Sequence, residues 1–116
     1  MPIQLVVEPR PAIPVMTNYP LCDVNNSPDG LEEFDLTTKD AQATGNDASL
    51  IVSYYTSLPA AQAGTGAIAT PNAFTNTTPN DQEIWVRVET DFGCASISSF
   101  HLIVNPLPVV LYSNLL

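Results

Sequence analysis

The stretch Gln82–Thr90 shows the clearest alternation of apolar and polar side chains in this chain. Its central residues fall on two faces, Ile84, Val86 and Val88 on one and Trp85, Arg87 and Glu89 on the other. Because successive side chains of a β-strand point to opposite faces, this pattern predicts a strand with one buried face. The turn "DFG" follows, and Cys94–Asn105 is predicted to return as the last long strand. The sequence therefore predicts a β-hairpin in this part of the chain.

The rest of the chain predicts short strands separated by turns. The predicted strands are Ile3–Glu8, Leu31–Leu36 and the β-branched and aromatic run Ser49–Ser57. Two helical turns are expected, one at Thr37–Gly45 and one at Leu58–Gly64, because each is closed by a glycine suited to a helix C-terminus. Eleven prolines are spread along the chain, which suits many short strands. The economical architecture is all-β, an antiparallel β-sandwich of about seven strands with one or two short helical turns.

A short phrase recurs near the two ends of the chain. "LVVEPRP" begins at Leu5 and "LIVNPLP" at Leu102, an offset of 97 residues. This period is close to the roughly 100 residues of an immunoglobulin-like sandwich. A Pro-x-Pro after the strand has no reason to recur within one domain, so we interpret the phrase as a joint between tandem repeats. The predicted division is a tail strand of a preceding repeat (1–9), an immunoglobulin-like module (10–106), and a linker with the start of a following repeat (107–116).

A second interpretation of the same phrase keeps both copies within one domain. Ile3–Glu8 and Phe100–Asn105 would then be neighbouring first and last strands of a single sandwich. The two interpretations are compatible if the N-terminal strand pairs locally. The sequence permits that strand to pair within its domain or with a neighbour.

The charge balance excludes several classes of partner. Twelve acidic residues stand against three basic ones, a net charge of −9. Phosphates of nucleic acid and anionic lipid would be repelled, so neither is an expected partner. No apolar run approaches the roughly 20 residues that span a bilayer, so membrane insertion is not expected. The first three residues lack the start of a secretion signal, and we expect the sequence to be part of a longer exported polypeptide.

Two cysteines, Cys22 and Cys94, bear on the cellular compartment in which the protein functions. With no Cys-x-x-Cys pair and a single histidine, one chain cannot build a zinc site. A disulfide between them is predicted, and it would stabilise the fold by about 4–5 kcal/mol in the chain-entropy model. Such a bond indicates an oxidising, extracellular setting. Two cysteines permit this bond without requiring it.

The loop after Cys22 is rich in oxygen ligands. Asp23, Asn25 and Asp29 are candidate ligands for Ca²⁺, which takes six to eight oxygens. The spacing imitates the start of an EF-hand loop, but its twelfth position is Leu36 instead of a glutamate. The alternative is a solvated turn in which these side chains bond to their own backbone. Calcium is thus a possible cofactor, and its expected role is to stiffen the chain.

Three aromatic residues, Tyr54, Tyr55 and Trp85, are candidates for stacking on sugar rings. Cross-strand packing explains the same residues equally well. The chain carries no recognisable catalytic set, because His101 lies mid-strand without a nucleophile at a motif spacing. Glu32 and Glu33 are adjacent in a strand and point to opposite faces, so they do not form an acid/base pair. An enzymatic function is not expected.

Several motifs recur in the order of a known family. They are Cys22-Asp23, Asp29-Gly30, Phe34–Thr37, Val52–Tyr55, Ala60–Gly64, Ile84–Val88, Gly93-Cys94 and Leu102–Pro108. In this order they resemble the tandem immunoglobulin-like repeats of large secreted surface adhesins from gliding Bacteroidota-type bacteria, proteins associated with type IX secretion and gliding motility. The resemblance implies a non-catalytic, disulfide-stapled spacer or adhesive module at the cell surface, whose partners are the neighbouring repeats. The alternative is a carbohydrate- or protein-binding module of a secreted surface protein.

Overall fold

The computed structural model describes residue 7 and residues 9–108 of the chain. Six strands occur in this part: β1 (Tyr19–Cys22), β2 (Glu33–Phe34), β3 (Ile51–Tyr55), β4 (Phe74–Thr75), β5 (Asp81–Glu89) and β6 (Ala95–Asn105). Four of them form one sheet in the order β1-β6-β5-β3, and β2 pairs with β4 in a second, two-stranded sheet. The protein is therefore mostly β, as predicted, with six described strands where about seven were expected. No described helix is long and apolar enough to cross a bilayer.

Two sequence predictions fall mainly outside this part of the chain. The predicted strand Ile3–Glu8 lies outside the described residues except for Val7, which is exposed. The predicted linker and following repeat, 107–116, is described only at Leu107 and Pro108. The pairing of the N-terminal strand therefore stays a prediction.

The predicted hairpin of β5 and β6 is confirmed. The two strands pair antiparallel in nine positions, from Asp81 opposite Ile103 to Glu89 opposite Ala95. At the turn, the Thr90 hydroxyl accepts the N–H of Cys94 at 3.2 Å, and Thr90 N–H donates to the Cys94 carbonyl at 2.8 Å. The hairpin therefore holds Cys94 at its closed end.

The opposite edge of the sheet differs from the prediction. β1 runs parallel to β6, with Tyr19 opposite Leu102 and Cys22 opposite Asn105. The expectation of a wholly antiparallel sheet is thus wrong at this edge. A parallel pair needs a long connection between its strands, and most of the domain lies between β1 and β6. Just before β1, the side chain of Asn18 accepts the N–H of His101 at 3.0 Å.

One face of the four-stranded sheet, the inner face, carries the hydrophobic core. Strand β5 alternates strictly, so that its even-numbered side chains from Gln82 to Val88 are buried. The core consists of Met16, Phe34, Leu36, Ala43, Tyr54, Ile84, Val86, Val88, Phe100, Leu102 and Val104. Phe34 of the small sheet belongs to this core and meets the Tyr19 ring edge-on at 4.9 Å. Burial of each large apolar side chain stabilises the fold by about 1.5–3 kcal/mol.

The first predicted helical turn is confirmed at the inner face. A 3-10 turn, Leu36–Lys39, runs into helix α1 (Asp40–Thr44). Asp35 caps the 3-10 turn by accepting the Thr37 N–H at 3.0 Å, because its carboxylate lies one residue before the turn begins. Gly45 ends α1 at φ +65°, a conformation that glycine adopts at no steric cost.

The second predicted helical turn, α2 (Leu58–Ala63), covers part of the outer face of the sheet. Ser57 caps its start and Gly64 ends it at φ +70°. The helix contacts β3 and β5. Arg87 of β5 donates from Nη1 to the carbonyl oxygens of Ala61 (2.8 Å) and Gln62 (3.2 Å). A cation thus satisfies carbonyls at the negative end of the helix and fixes α2 on the sheet. A further 3-10 turn, Pro71–Ala73, precedes β4.

Candidate functional site

The two cysteines lie at opposite ends of β6. Cys22 is opposite Asn105, the last residue of the strand, and Cys94 precedes Ala95, the first. Eleven residues of β-strand span roughly 36 Å, whereas the Cα atoms of a disulfide are within about 7 Å. The prediction that Cys22 bonds to Cys94 within one module is therefore wrong. Its physical cause is the parallel edge strand, which carries Cys22 away from the hairpin turn.

Cys22 opens a loop that is held by a buried carboxylate. Glu32 is only 5% exposed. Its Oε2 accepts the N–H groups of Val24 (2.8 Å) and Asn25 (2.7 Å), and its Oε1 accepts the Asn25 side-chain amide at 2.8 Å. Hydrogen bonds to a charged acceptor are about twice as strong as neutral ones. Glu32 therefore fixes the backbone two and three residues after Cys22, and Cys22 itself remains exposed.

A second buried side chain, Asn76, ties the same loop to the segment that precedes β5. Its Oδ1 accepts the Glu32 N–H at 2.8 Å, and its amide donates to the carbonyls of Gly30 and Thr78 at 2.9 Å. Gly30 has φ +72°, and a Cβ there would lie 2.6 Å from Asn80 Oδ1. A side chain at residue 30 would thus collide with its neighbour.

Sequence reasoning missed both of these organising residues. Glu32 shares one face of its strand with Phe34 and Leu36, and a carboxylate on an apolar face indicates a buried partner. That signal could have identified Glu32. Asn76 lies in a segment that predicts only a turn, and nothing in its spacing points to Gly30.

The three predicted calcium ligands are used in different internal contacts. Asp23 is 3% exposed, and its Oδ2 accepts the Gly30 N–H at 2.9 Å. The Asn25 amide bonds to Glu32, and Asp29 Oδ1 accepts the Leu31 N–H at 3.0 Å. Over residues 9–108 no three acidic, histidine or cysteine side chains are grouped as a metal site requires. These contacts correspond to the alternative of a self-bonded turn, and calcium binding at Asp23, Asn25 and Asp29 stays a prediction.

The three aromatic candidates for sugar stacking are not exposed together on one surface. Tyr54 is on the inner face, where its hydroxyl donates to Asp40 Oδ1 at 2.6 Å. Burial, together with that hydrogen bond and the Asp40 charge, raises the pKa of Tyr54 far above its usual value. Tyr55 is on the outer face but only 3% exposed, and its hydroxyl lies 2.9 Å from Ser53 Oγ. Neither tyrosine can stack on a sugar ring, and of the three residues Trp85 alone is partly exposed.

Trp85 lines a groove of about 540 Å³ on the outer face, which we call the Trp85 groove. Its lining comprises Arg10, Leu58, Gln62, Trp85, Arg87, Ala95, Ser96 and Ile97. The last three of these residues directly follow Cys94 in the chain. The groove therefore combines several apolar side chains with two guanidinium groups beside one of the two cysteines.

The Trp85 groove holds two of the three basic residues of the whole chain. Arg87 is engaged with α2 and with Glu89, whose Oε1 is 3.2 Å from Arg87 Nε. Arg10 is exposed and makes no ion pair with any other described residue. The third basic residue, Lys39, lies outside the groove and donates to the Thr17 carbonyl at 2.7 Å. Positive charge in the described chain is thus concentrated at the groove.

A cluster of titratable side chains lies on the outer face around His101. Its Nδ1 is 2.6 Å from Asp81 Oδ1, and its Nε2 is 3.8 Å from Glu83 Oε2. The hydrogen bond to Asp81 is the main cause that raises the pKa of His101, and both carboxylate charges add to it. Ser99 donates to Glu83 at 2.9 Å instead of to the imidazole. The cluster therefore lacks the serine–histidine contact of a nucleophilic triad.

Comparison with known proteins bears on the cysteines. No curated protein matches the chain. A family model described as the Flavobacterium inter-domain disulphide bond domain matches residues 18–108, which include all six strands. This fits the resemblance to a repeat of Bacteroidota surface proteins, and the family's description agrees with two cysteines that cannot bond to each other. Because the match covers most of the sequence, the chain belongs to the Flavobacterium inter-domain disulphide bond domain family.

Proposed function

We propose that this domain is a non-catalytic structural module of a long extracellular surface protein, joined by disulfides to the repeats on either side. The observation that carries the proposal is the placement of Cys22 and Cys94 at opposite ends of β6. A module with one cysteine at each end can bond to two neighbours at once. Such bonds form and persist in oxidising surroundings, which is consistent with export.

The direction of the chain decides which cysteines meet. The N-terminal segment reaches the sheet at the Cys94 end, since Arg10 lines the same groove as Ala95–Ile97. The chain leaves the sheet at Asn105, opposite Cys22. In a tandem array, the end of one module that carries Cys22 therefore faces the end of the next module that carries its equivalent of Cys94. We infer the pairing of Cys22 in one repeat with Cys94 in the repeat that follows.

Exposed apolar side chains support contact between the two ends. Val24, two residues after Cys22, is 60% exposed, and Phe92, two residues before Cys94, is 74% exposed. Bringing the ends together would remove both from water, which is favourable by about 25 cal/mol for each Å² buried. The Pro-x-Pro after β6 favours an extended, semi-rigid connection over a flexible one. The mechanical result is a stiff rod of covalently linked modules.

Within this rod, each module is proposed to be an immunoglobulin-like sandwich. The small sheet of β2 and β4 supports this view, because Phe34 and Phe74 both pack with the inner face of the four-stranded sheet. Sheets in such sandwiches face each other across an apolar core. The spacer role itself follows from the proposed linkage and needs no ligand.

The pairing is tested with two single-cysteine chains. Cys94→Ser retains only Cys22, and Cys22→Ser retains only Cys94. Mixed at equal concentration in a glutathione redox buffer, they should form a disulfide-linked heterodimer in preference to either homodimer, as measured by intact mass and non-reducing electrophoresis. The double variant, which lacks both thiols, is the control and should remain monomeric. A heterodimer no more abundant than random pairing would contradict the proposal, as would an internally oxidised wild-type monomer.

A further inference from the structure

The Trp85 groove is within reach of anything bonded to Cys94. Strand residues advance by about 3.3 Å each, so Ser96 and Ile97 lie within roughly 10 Å of Cys94 along β6. The Cα atom of a disulfide partner would lie about 4.4–6.8 Å from that of Cys94. A segment that carries a partner cysteine can therefore reach the edge of the groove.

The groove is suited to an acidic segment. Its two arginines lie in a chain whose net charge is −9, so the groove is an exception on an otherwise acidic molecule. The contacts of Arg87 Nη1 to the α2 carbonyls and of Nε to Glu89 hold its guanidinium in place, so that Nη2 of Arg87 and the exposed Arg10 are the donors offered to a ligand. Arginine binds carboxylates through a planar fork of donors, which makes it the preferred residue for such contacts. Leu58, Trp85 and Ile97 add an apolar surface next to this charge.

The Cys22 loop (Cys22–Gly30) presents the complementary groups. Of its two acids, Asp23 is buried and bonded to Gly30, whereas Asp29 is exposed. Val24 supplies an exposed apolar side chain in the same loop. Glu32 and Asn76 hold the loop in shape, so its exposed groups are displayed in a fixed arrangement. One loop thus offers a carboxylate and an apolar side chain next to the cysteine that the pairing requires.

We propose that the Trp85 groove is the docking site for the Cys22 loop of the adjacent module, with the Asp29 carboxylate bound by Arg10 and Arg87. This inference rests on the proposed disulfide pairing and adds a non-covalent recognition step that precedes it. Docking aligns the two thiols and selects the correct neighbour. Charge pairs at the rim of an interface act mainly on the association rate, and they weaken as salt rises.

The test measures the rate of heterodimer formation between the two single-cysteine chains. Arg10→Glu is placed in the chain that retains Cys94, and Asp29→Arg in the chain that retains Cys22. Each change alone should slow formation about three- to tenfold at low salt, and the two together should recover part of the lost rate, since Arg87 still repels the new arginine. Lys39→Glu, an equal change of charge away from the groove, is the matched control. Each rate is divided by the rate at which the same thiol reacts with a small neutral disulfide, which removes effects on intrinsic reactivity.

The outcomes separate this inference from the proposed function. If no heterodimer forms with the native charges, the disulfide pairing itself fails. If it forms at a rate that Arg10→Glu changes no more than Lys39→Glu does, the docking site is overturned while the pairing stands. If Arg10→Glu slows the reaction and Asp29→Arg recovers none of the lost rate, the assignment to Asp29 is overturned. Quenching of Trp85 fluorescence by polygalacturonate, with no effect of the adjacent chain on Trp85, would instead identify an acidic glycan as the occupant.

Discussion

Cys22 lies directly opposite Asn105 in the parallel pair of β1 and β6, and the N–H of the next residue, Asp23, donates to the Asn105 carbonyl at 2.8 Å. This relationship places an exposed thiol at the point where the chain leaves the sheet. Cys94 lies at the other end of the same strand, at the hairpin turn. The longest described strand therefore separates the two cysteines, and under the proposed linkage tension between neighbouring modules would pass along β6.

The stability of the isolated domain should not depend on a disulfide. A bridge between Cys22 and Cys94 would contribute about 4–5 kcal/mol. We expect the free energy of unfolding of the monomer, measured by urea denaturation, to be the same with and without reductant. A loss of several kcal/mol on reduction of the monomer would show that an internal bridge exists.

Removal of the Glu32 carboxylate should destabilise the Cys22 loop. Glu32→Ala leaves three donors without their acceptor, and we expect a loss of about 2–4 kcal/mol in the free energy of unfolding. Glu33→Ala is the matched control, because Glu33 is exposed and should change stability by no more than about 0.5 kcal/mol. Equal effects of the two substitutions in denaturant titrations would refute the role of Glu32.

The two adjacent tyrosines should respond differently to loss of their hydroxyl groups. Tyr54→Phe removes a buried hydrogen bond to Asp40, and we expect it to cost about 1.5–3 kcal/mol. Tyr55→Phe removes a contact with the Ser53 hydroxyl, a neutral partner, and should cost about 0.5–1.5 kcal/mol. Thermal unfolding of both variants measures the difference. A larger loss for Tyr55→Phe would contradict the assignment of Tyr54 to the core network.

Stability should fall as pH rises through the pKa of His101. That pKa is raised above the usual value of 6.5, chiefly by the hydrogen bond to Asp81. Protonated His101 is favoured in the folded state, so its contribution is fully present below pH 6.5 and is lost above the raised pKa. The effect should be under about 1 kcal/mol, because the imidazole is 42% exposed to solvent.

This pH dependence is measured directly, since His101 is the one histidine of the chain. An NMR titration of its ring protons gives the pKa in the folded state. Asp81→Asn should bring that pKa back towards 6.5, while Asp91→Asn, a change at an exposed acid of the hairpin turn, should have little effect. Titration of native His101 at or below 6.5 would contradict the contact with Asp81.

Local patterns predicted most of the individual elements. The alternation in β5 and the turn after it define the hairpin, because side-chain direction and turn chemistry act over a few residues. Gly45 and Gly64 end the two short helices as expected, since each adopts a positive φ. The aromatic residues were harder to interpret. Adjacent residues of a strand point to opposite faces, and only tertiary packing on both faces of the sheet decides that Tyr55 is covered as well as Tyr54.

The sequence by itself determined a mostly β domain, its hairpin, its helical turns and the presence of two cysteines. The tertiary structure decided where those cysteines lie, because the pairing of β1 with β6 joins residues more than 80 positions apart. It also decided that Arg10 and Arg87 share one groove and that Glu32 and Asn76 organise one loop. Non-local pairing and packing set these relationships, and no short-range periodicity records them.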